Sequence, residues 1–513
     1  MENNYSITPP PLPTTTTTTA TPKPPQPIVF WIIGVSLSLG IVGDCLLRTT
    51  PLGINVSMFT GLLCVGLAWG WRRHNESTPC WGLLILVGVL GLCLTWRDAS
   101  VLRTLNVMTI ITLLVVLSTR PARIKLYTGT LASLLTNSLY GTEQALRSPI
   151  TLLAHDVDWP ATKASLNNTH KRILHGLLFS LPILLVFIFL FSAADAVFHH
   201  GIENLLMNSH ELVMHTIFSL IFFVMITMII RPITLGEEFK PVHTMPPDTW
   251  VPGDIELSVV MGSISLLFLT FILIQFRYLF GGHELVQTLS GLTYATYARK
   301  GFFALLAVVI LVHLILMCGA WLVESANRRT KIIFRRLSLG LVLLCAFIFA
   351  SAFFRMSLYI KTYGLTQLRF YATAIMIWLA LAFFLSTMKC LFPGWSFFTG
   401  AYLYSAVGML LLINSVNPDG LIARINLSRY AHQDKLDRAY LDELSTDAVP
   451  VIMRFQEQLT AEMSDALIKH IIENRHANKT DWRCWNYSRH RAKKLYQSAS
   501  NQDPSVTSRH VQF

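Results

Sequence analysis

The sequence has little charge and lacks the ligand spacings of metal sites. Only 14% of its 513 residues are Asp, Glu, Lys or Arg, against about 25% in an average soluble domain. This excludes an ordinary soluble fold, because a soluble core could not bury the 52% of residues that are hydrophobic. The eight cysteines show no CxxC or CxxxH spacing. We therefore predict no disulfide framework, no metal site and no cofactor.

Long apolar stretches occupy most of the sequence between residues 28 and 413. Eleven of them are long enough to cross a bilayer as helices, which predicts an all-α, polytopic transmembrane bundle of about 11 spans in a lipid bilayer. They cover residues 28–47, 52–71, 81–94, 102–117, 174–191, 212–230, 255–279, 302–323, 337–358, 370–387 and 397–413. Residues 126–139 are shorter and contain Thr, Ser and Asn, so they are expected to form an interfacial helix instead.

Four regions follow from these patterns. Residues 1–27 form a Pro/Thr-rich tail expected to be disordered, residues 28–416 the membrane domain, residues 417–495 a helical extramembrane segment, and residues 496–513 a second disordered tail. Within the third region an apolar stripe predicts one amphipathic helix that starts near Asp447 and Pro450. The stripe consists of Ile452, Phe455, Leu459, Met463 and Leu467. Trp482, Trp485 and Tyr487 alternate with basic residues, which favours anchoring at lipid headgroups over nucleic-acid binding.

The distribution of Lys and Arg between the loops predicts the orientation. The sequence contains 41 Lys and Arg against 29 Asp and Glu, and membrane proteins concentrate such an excess in cytoplasmic loops, so no nucleic-acid partner is predicted. One set of alternating loops holds Arg72, Arg73, Arg120, Arg123, Lys125, Arg231, Lys240, Arg328, Arg329, Lys331, Arg335, Arg336 and Lys389. The opposite set holds only Arg48, Arg97, Arg299, Lys300 and Lys361. We therefore expect a bacterial inner-membrane protein with a cytoplasmic N-terminus and, given an odd number of spans, a periplasmic C-terminus.

Polar residues at membrane depth are the candidate substrate-binding or pathway residues, because an isolated charge near the bilayer centre costs about 2.5 kcal/mol or more. They are Asp195, Glu256, Gln275, Arg277, Arg355, Tyr359 and Arg369. Asp195, Glu256 and Arg277 could instead lie at the interface. Tyr359, Thr362, Thr366 and Arg369 would share a helix face with Arg355 unless Gly364 breaks that helix. His175, His215 and His313 are expected to be core or interface residues and not metal ligands.

Several motifs resemble a known family. They are WRDASVLRTLNV, SLLFLTFILIQFRYLFGG, GLTYATYARKGFFALLAV, RMSLYIKTYGLTQLRFYA, NPDGLIARINL, LDELSTDAVPVI and DWRCWNYSRHRAKKL. Together these motifs resemble the bacterial membrane family catalogued as domain of unknown function 4173. The resemblance implies a polytopic membrane protein with a small C-terminal extramembrane part and no established activity. It also implies glutamates at two positions that are Thr296 and Ala304 here, so any proton or cation chemistry of those glutamates is expected to be absent.

Two classes of function fit these observations, and a third fits less well. The first is a binding or scaffold role in the bacterial cell envelope, with envelope proteins as partners of the C-terminal helices. The alternative is transport of a small solute or ion through the bundle, although no internal repeat supports it. A membrane-embedded transferase fits least, because no loop supplies a set of catalytic residues. The sequence therefore favours a protein that is not an enzyme.

Overall fold

The structure is a computed structural model, and every regular element in the part that it describes is helical. It describes residues 24–48, 50–74, 81–118, 131–159, 180, 187, 190–191, 195–235, 248–280, 294–392, 394–395, 397–433, 437–456, 459, 461–474 and 481–502. The all-α prediction is therefore confirmed for these residues.

Nine described helices are long and apolar enough to cross a membrane. They are α1 (Gln26–Leu47), α2 (Ile54–His74), α4 (Ser100–Ser118), α6 (Ala196–Leu235), α7 (Asp254–Phe280), α8 (Tyr294–Leu322), α9 (Arg328–Tyr363), α10 (Gln367–Leu391) and α11 (Phe398–Val416). The helix α3 (Trp81–Trp96) is also apolar but has only 16 residues. These ten helices coincide with ten of the eleven predicted spans. The remaining span, residues 174–191, lies almost wholly outside the described residues.

Several helices extend beyond the predicted spans, including α6, which begins at Ala196, and α8, which begins at Tyr294. Helix α9 has 36 residues, so the basic cluster from Arg328 to Arg336 belongs to its first turns and not to a loop. Residues 131–139 begin a longer helix, α5 (Leu131–Thr151), which is not among the helices apolar enough to cross a membrane. Its interfacial position remains a prediction.

The described part of the bundle has two apolar cores. The first consists of residues from the four helices α1, α2, α3 and α4 and from the last part of α6. Helices α1 and α6 approach so closely that a Cβ on Gly40 would lie 2.8 Å from the Ser219 carbonyl oxygen. Glycine at that position therefore lets the α1 and α6 backbones touch. The second core joins α7, α8, α9 and α10 and includes Phe302, Leu341 and Met376, which are all fully buried.

The described residues after Asn417 include five α-helices, which pack around a third core. They are α12 (Pro418–Gln433), α13 (Arg438–Asp442), α14 (Val449–Arg454), α15 (Ala461–Asn474) and α16 (Tyr487–Gln502). The prediction of one continuous helix after Asp447 was wrong, because the chain turns where the Leu459 N–H donates to the Gln456 carbonyl. Ile452 on α14 and Leu467 on α15 still meet in the same core. The regular spacing of apolar residues therefore predicts that these side chains share a core, but it does not predict the turn between the two helices.

This C-terminal helical segment lies at one end of the bundle. Arg483 donates to the Cys45 carbonyl at 2.5 Å, near the last residue of α1, and the Trp485 carbonyl accepts from the Ile54 N–H at 2.8 Å. Gln26, in the first turn of α1, instead contacts Asp156 and Asp158. Since a helix of 22 residues is about 33 Å long, the C-terminal helical segment and the start of α1 lie at opposite ends of the bundle.

Candidate functional site

A short polar loop joins α3 to α4 and faces the C-terminal helical segment. The apolar sequence of α3 ends at Trp96, and the loop consists of Arg97, Asp98 and Ala99. The Arg97 guanidinium lies 4.3 Å from the centre of the Trp96 ring. The same guanidinium donates to the carbonyls of Asn414 at 2.7 Å and Ser415 at 3.2 Å, at the end of α11. Arg97 therefore satisfies carbonyl groups that the last turn of α11 leaves without helical partners.

Asp98 is completely buried and binds two arginines. Its Oδ1 atom accepts from Nε and Nη2 of Arg489 at 2.9 and 2.7 Å. The Nη1 atom of Arg103, one turn into α4, lies 3.5 Å from the same oxygen. Its second oxygen accepts from the Thr446 hydroxyl at 3.1 Å. One carboxylate thus connects α3, α4, the 3₁₀ turn Thr446–Ala448 and α16.

Asp447 stabilises the start of α4 from outside that helix. Its Oδ2 atom accepts from the backbone N–H groups of Asp98 and Ala99 at 2.7 and 3.1 Å, and its Oδ1 atom lies 3.4 Å from Nη1 of Arg97. A carboxylate in this position also interacts favourably with the dipole of α4. Burial raises the pKa of Asp447 above the usual Asp value, while the Asp98 N–H and the charge of Arg97 act in the opposite direction. The sequence analysis gave Asp447 only a local role at a helix start.

Side-chain amides add hydrogen bonds both within the membrane domain and between it and the C-terminal helical segment. Asn106 on α4 and Asn414 on α11 exchange two hydrogen bonds of 3.0 Å. Asn486 donates to the carbonyls of Leu94 and Arg97 at 3.2 and 3.1 Å. Its Oδ1 atom accepts from the Arg489 N–H in the first turn of α16. Buried polar groups normally need such partners, and these amides provide them at the junction.

We call the five charged residues at this junction the docking cluster: Arg97, Asp98, Arg103, Asp447 and Arg489. Three guanidinium groups face two carboxylates, so the cluster carries a formal charge of +1. Each carboxylate accepts from several donors, and the donors come from elements more than 300 residues apart. The arrangement can hold the C-terminal helical segment in one orientation on the bundle.

Two further side-chain contacts connect α6 to other parts of the membrane domain. Near the start of α1, Arg231 forms a bidentate pair with Asp156 at 2.6 and 3.2 Å. Near the end of α1, the buried Asp44 contacts His215 of α6, and Arg48 lies 2.8 Å from the second ring nitrogen of that histidine. Both contacts join α6 to residues that the sequence analysis did not select as partners.

The seven candidate site residues lie on several helices. Asp195 precedes α6 and is exposed, and Glu256 accepts from the Gly253 N–H in the first turn of α7. Gln275 accepts from the Ser351 hydroxyl at 2.8 Å, which joins α7 to α9. Arg277 is on α7, but its side chain lies outside the described structure. Arg355 is half-buried on α9.

The structure brings Tyr359 and Arg369 together although their helix does not continue. Gly364 ends α9 with a φ of +79°, a conformation that favours glycine. Thr366 then caps α10, and the Arg369 guanidinium returns to lie 3.9 Å from the centre of the Tyr359 ring. The possible continuous polar face from Arg355 to Arg369 is therefore interrupted at Gly364.

The histidines have different surroundings. His313 on α8 lies 2.9 Å from the Tyr402 hydroxyl and packs edge-on against Phe383. His215 contacts Asp44, as described above. His175 lies outside the described residues.

A family model for a domain of unknown function, DUF4153, matches residues 84–455. The chain belongs to the DUF4153 family. This family number differs from 4173, the one that the motifs suggested, although both denote domains of unknown function. No curated protein and no solved structure matches the chain. The DUF4153 match includes Arg97, Asp98, Arg103 and Asp447 of the docking cluster, whereas Arg489 lies beyond it.

The sequence contains a signal for the docking cluster. Four motifs quoted for the family resemblance, WRDASVLRTLNV, NPDGLIARINL, LDELSTDAVPVI and DWRCWNYSRHRAKKL, converge at this junction. They supply Asp98, Asp419, Asp447 and Arg489, and Asp419 accepts from the Ser445 N–H at 2.9 Å. The acidic and basic residues of these motifs are complementary in charge. Because the motifs are far apart in the sequence, their spacing does not predict which residues pair. The two glutamates expected at Thr296 and Ala304 concern the other family number, and their consequence for proton movement remains a prediction.

Proposed function

We propose that the protein has a binding or scaffold role in the bacterial cell envelope. In this proposal the membrane helices hold the C-terminal helical segment at one bilayer surface, where it binds envelope proteins. The observation that supports it is the docking cluster, which joins that segment to the loop between α3 and α4 through buried ion pairs.

The energetics of buried ion pairs support a role in orientation. Removing charged groups from water costs several kcal/mol per ion, and their mutual attraction often only offsets that cost. Well-packed apolar side chains would therefore stabilise the junction about as well. Ion pairs with defined hydrogen-bond geometry additionally restrict the junction to one arrangement, which is useful when a segment must present a fixed surface.

The exposed side of the C-terminal helical segment has the composition of a contact surface. Trp482 is 58% exposed, and Trp485 and Tyr487 are also exposed. Arg491 and Lys494 lie on the exposed side of α16. Exposed aromatic and arginine side chains are typical of protein interfaces and of the headgroup layer. Because Trp485 lies beside the start of α2, we assign the three aromatic residues to the headgroup layer and the exposed side of α16 around Arg491 and Lys494 to protein partners.

We further propose that the start of α1 is cytoplasmic and that the C-terminal helical segment is periplasmic. The loop charges support this orientation, and the opposite positions of the two regions along α1 fit an odd number of crossings. Reporter fusions at residue 23, after Asn327 and at the C-terminus should give cytoplasmic, cytoplasmic and periplasmic signals. A cytoplasmic signal from both the first and the last fusion would contradict this topology.

A photo-crosslinkable amino acid at Arg491 tests the scaffold role in cells. We expect a discrete protein adduct from this exposed position, because α16 would face the partner. The matched control places the same amino acid at Leu266, a 65% exposed residue of α7 that faces lipid in a membrane. It should give no such adduct. If Arg491 and Lys494 gave no protein adduct, and the purified protein carried solute across liposome membranes, the transport alternative would replace the scaffold.

A further inference from the structure

A pocket of about 530 Å³ opens beside the docking cluster. Its volume is within the usual range for small-molecule sites, about 300–1,000 Å³. The lining includes Arg103, Thr104, Val107 and Met108 of α4, Asn474 of α15 and Arg489 of α16. The pocket therefore lies between the membrane domain and the C-terminal helical segment, near the level where α4 enters the bilayer.

The polar wall of the pocket has a positive charge. Arg103 and Arg489 both line the pocket and both contact the carboxylate of Asp98, so this wall presents two guanidinium groups. The side chain of Arg489 is almost completely buried, and that of Arg103 remains accessible from the pocket. Guanidinium groups donate hydrogen bonds in a geometry that suits phosphate oxygens, and Asn474 adds an amide to the same wall.

The opposite wall continues into a lipid-facing surface. Val107 and Met108 line the pocket, and Met108 is 58% exposed. Ile111, three residues further along α4, is also exposed, and residues three or four positions apart share a helix face. A ligand with its charged group at Arg103 could therefore lay an apolar chain along Met108 and Ile111 without leaving the protein surface.

We infer that this pocket binds the phosphate-bearing headgroup of an anionic membrane lipid, with the acyl chains along the exposed face of α4. The positive wall neutralises the phosphate, and the apolar wall distinguishes a lipid from a free phosphate ion. The inference does not depend on the scaffold role, since a transporter with this junction would contain the same pocket.

Lipid-induced thermal stabilisation of the purified full-length protein in neutral detergent tests the inference. The probes are phosphatidylglycerol, phosphatidylcholine and inorganic phosphate, each titrated separately. We expect saturable stabilisation by phosphatidylglycerol, with an affinity about tenfold weaker in Arg103→Gln because one charge-assisted contact is lost. Each variant is compared with its own lipid-free melting temperature, since Arg103 also contacts Asp98.

A second pair of variants leaves the ion pairs intact. Thr104→Trp places a bulky side chain in the pocket and should abolish stabilisation by phosphatidylglycerol. Thr109→Trp is the matched control, because Thr109 also donates to the carbonyl four residues earlier on α4 but, five residues from Thr104, lies on a different face of that helix. Equal stabilisation of all variants, or equal stabilisation by phosphatidylcholine, would overturn the inference. Saturable stabilisation by inorganic phosphate at the same concentrations would overturn the assignment to a lipid.

Discussion

Asp98→Ala is expected to destabilise the folded protein by about 3–5 kcal/mol, because it leaves the buried Arg489 guanidinium without its carboxylate. The measurement is denaturant unfolding of the purified protein in detergent. The variant should also expose the C-terminal helical segment to protease at lower denaturant concentrations than the membrane domain. This order is expected because Asp98 joins the two regions.

Two comparisons make the Asp98 prediction specific. Glu143→Ala removes an exposed carboxylate that pairs with Arg147, whose side chain is 75% exposed, and it should cost less than about 1 kcal/mol. The double variant Asp98→Ala with Arg489→Met removes the stranded charge and should regain part of the lost stability. If Asp98→Ala cost no more than Glu143→Ala, the docking cluster would not hold the segment.

Arg231→Met is expected to cost a similar 3–5 kcal/mol at the other end of the bundle. It leaves Asp156 buried without the two hydrogen bonds that Arg231 donates, and both side chains are less than 10% exposed. The same unfolding measurement applies, but here the C-terminal helical segment should keep its protease resistance until the bundle unfolds. The protease resistance of the C-terminal helical segment therefore distinguishes a local loss of stability near the start of α1 from a loss of contact between that segment and the bundle.

The double variant Arg231→Met with Asp156→Leu tests whether the loss of stability comes from leaving the Asp156 carboxylate buried without a partner. Apolar side chains of similar size can replace a buried ion pair with little loss of stability, so the double variant should be more stable than the single one. A single and a double variant of equal stability would indicate that Asp156 reaches water once Arg231 is removed.

The apolar stretches predicted the membrane domain well, because burial in a bilayer demands a minimum length of apolar sequence whatever the neighbours are. Ten predicted spans correspond to described helices. The turn after Arg454 was missed because Ile452 and Leu467 fit one periodic stripe whether the chain is straight or folded. Helix α9 was too short in the prediction because its first turns are basic, and Lys and Arg are good helix formers outside the apolar core.

The junction was much harder to predict than the spans. Arg97 and Asp98 look like ordinary interfacial charges when read along the chain, and Asp447 looks like a helix cap. Their roles depend on contacts with residues more than 300 positions away, which no local pattern reports. Arg355 was predicted as a site residue because it interrupts an apolar helix. The docking cluster lies in loops and at helix ends, where charged residues are common and do not indicate a site.

Asp98 and Arg489 are 391 positions apart in the sequence, so they are also synthesised at different times. At a synthesis rate of about 5–20 residues per second, Arg489 emerges on the order of 20–80 s after Asp98. Throughout that interval the loop between α3 and α4 is made but its carboxylate has no arginine from α16. A chain that has not yet reached α16 therefore leaves this loop without its final partners, and a chaperone or protease acting on the loop would sense whether synthesis has reached α16.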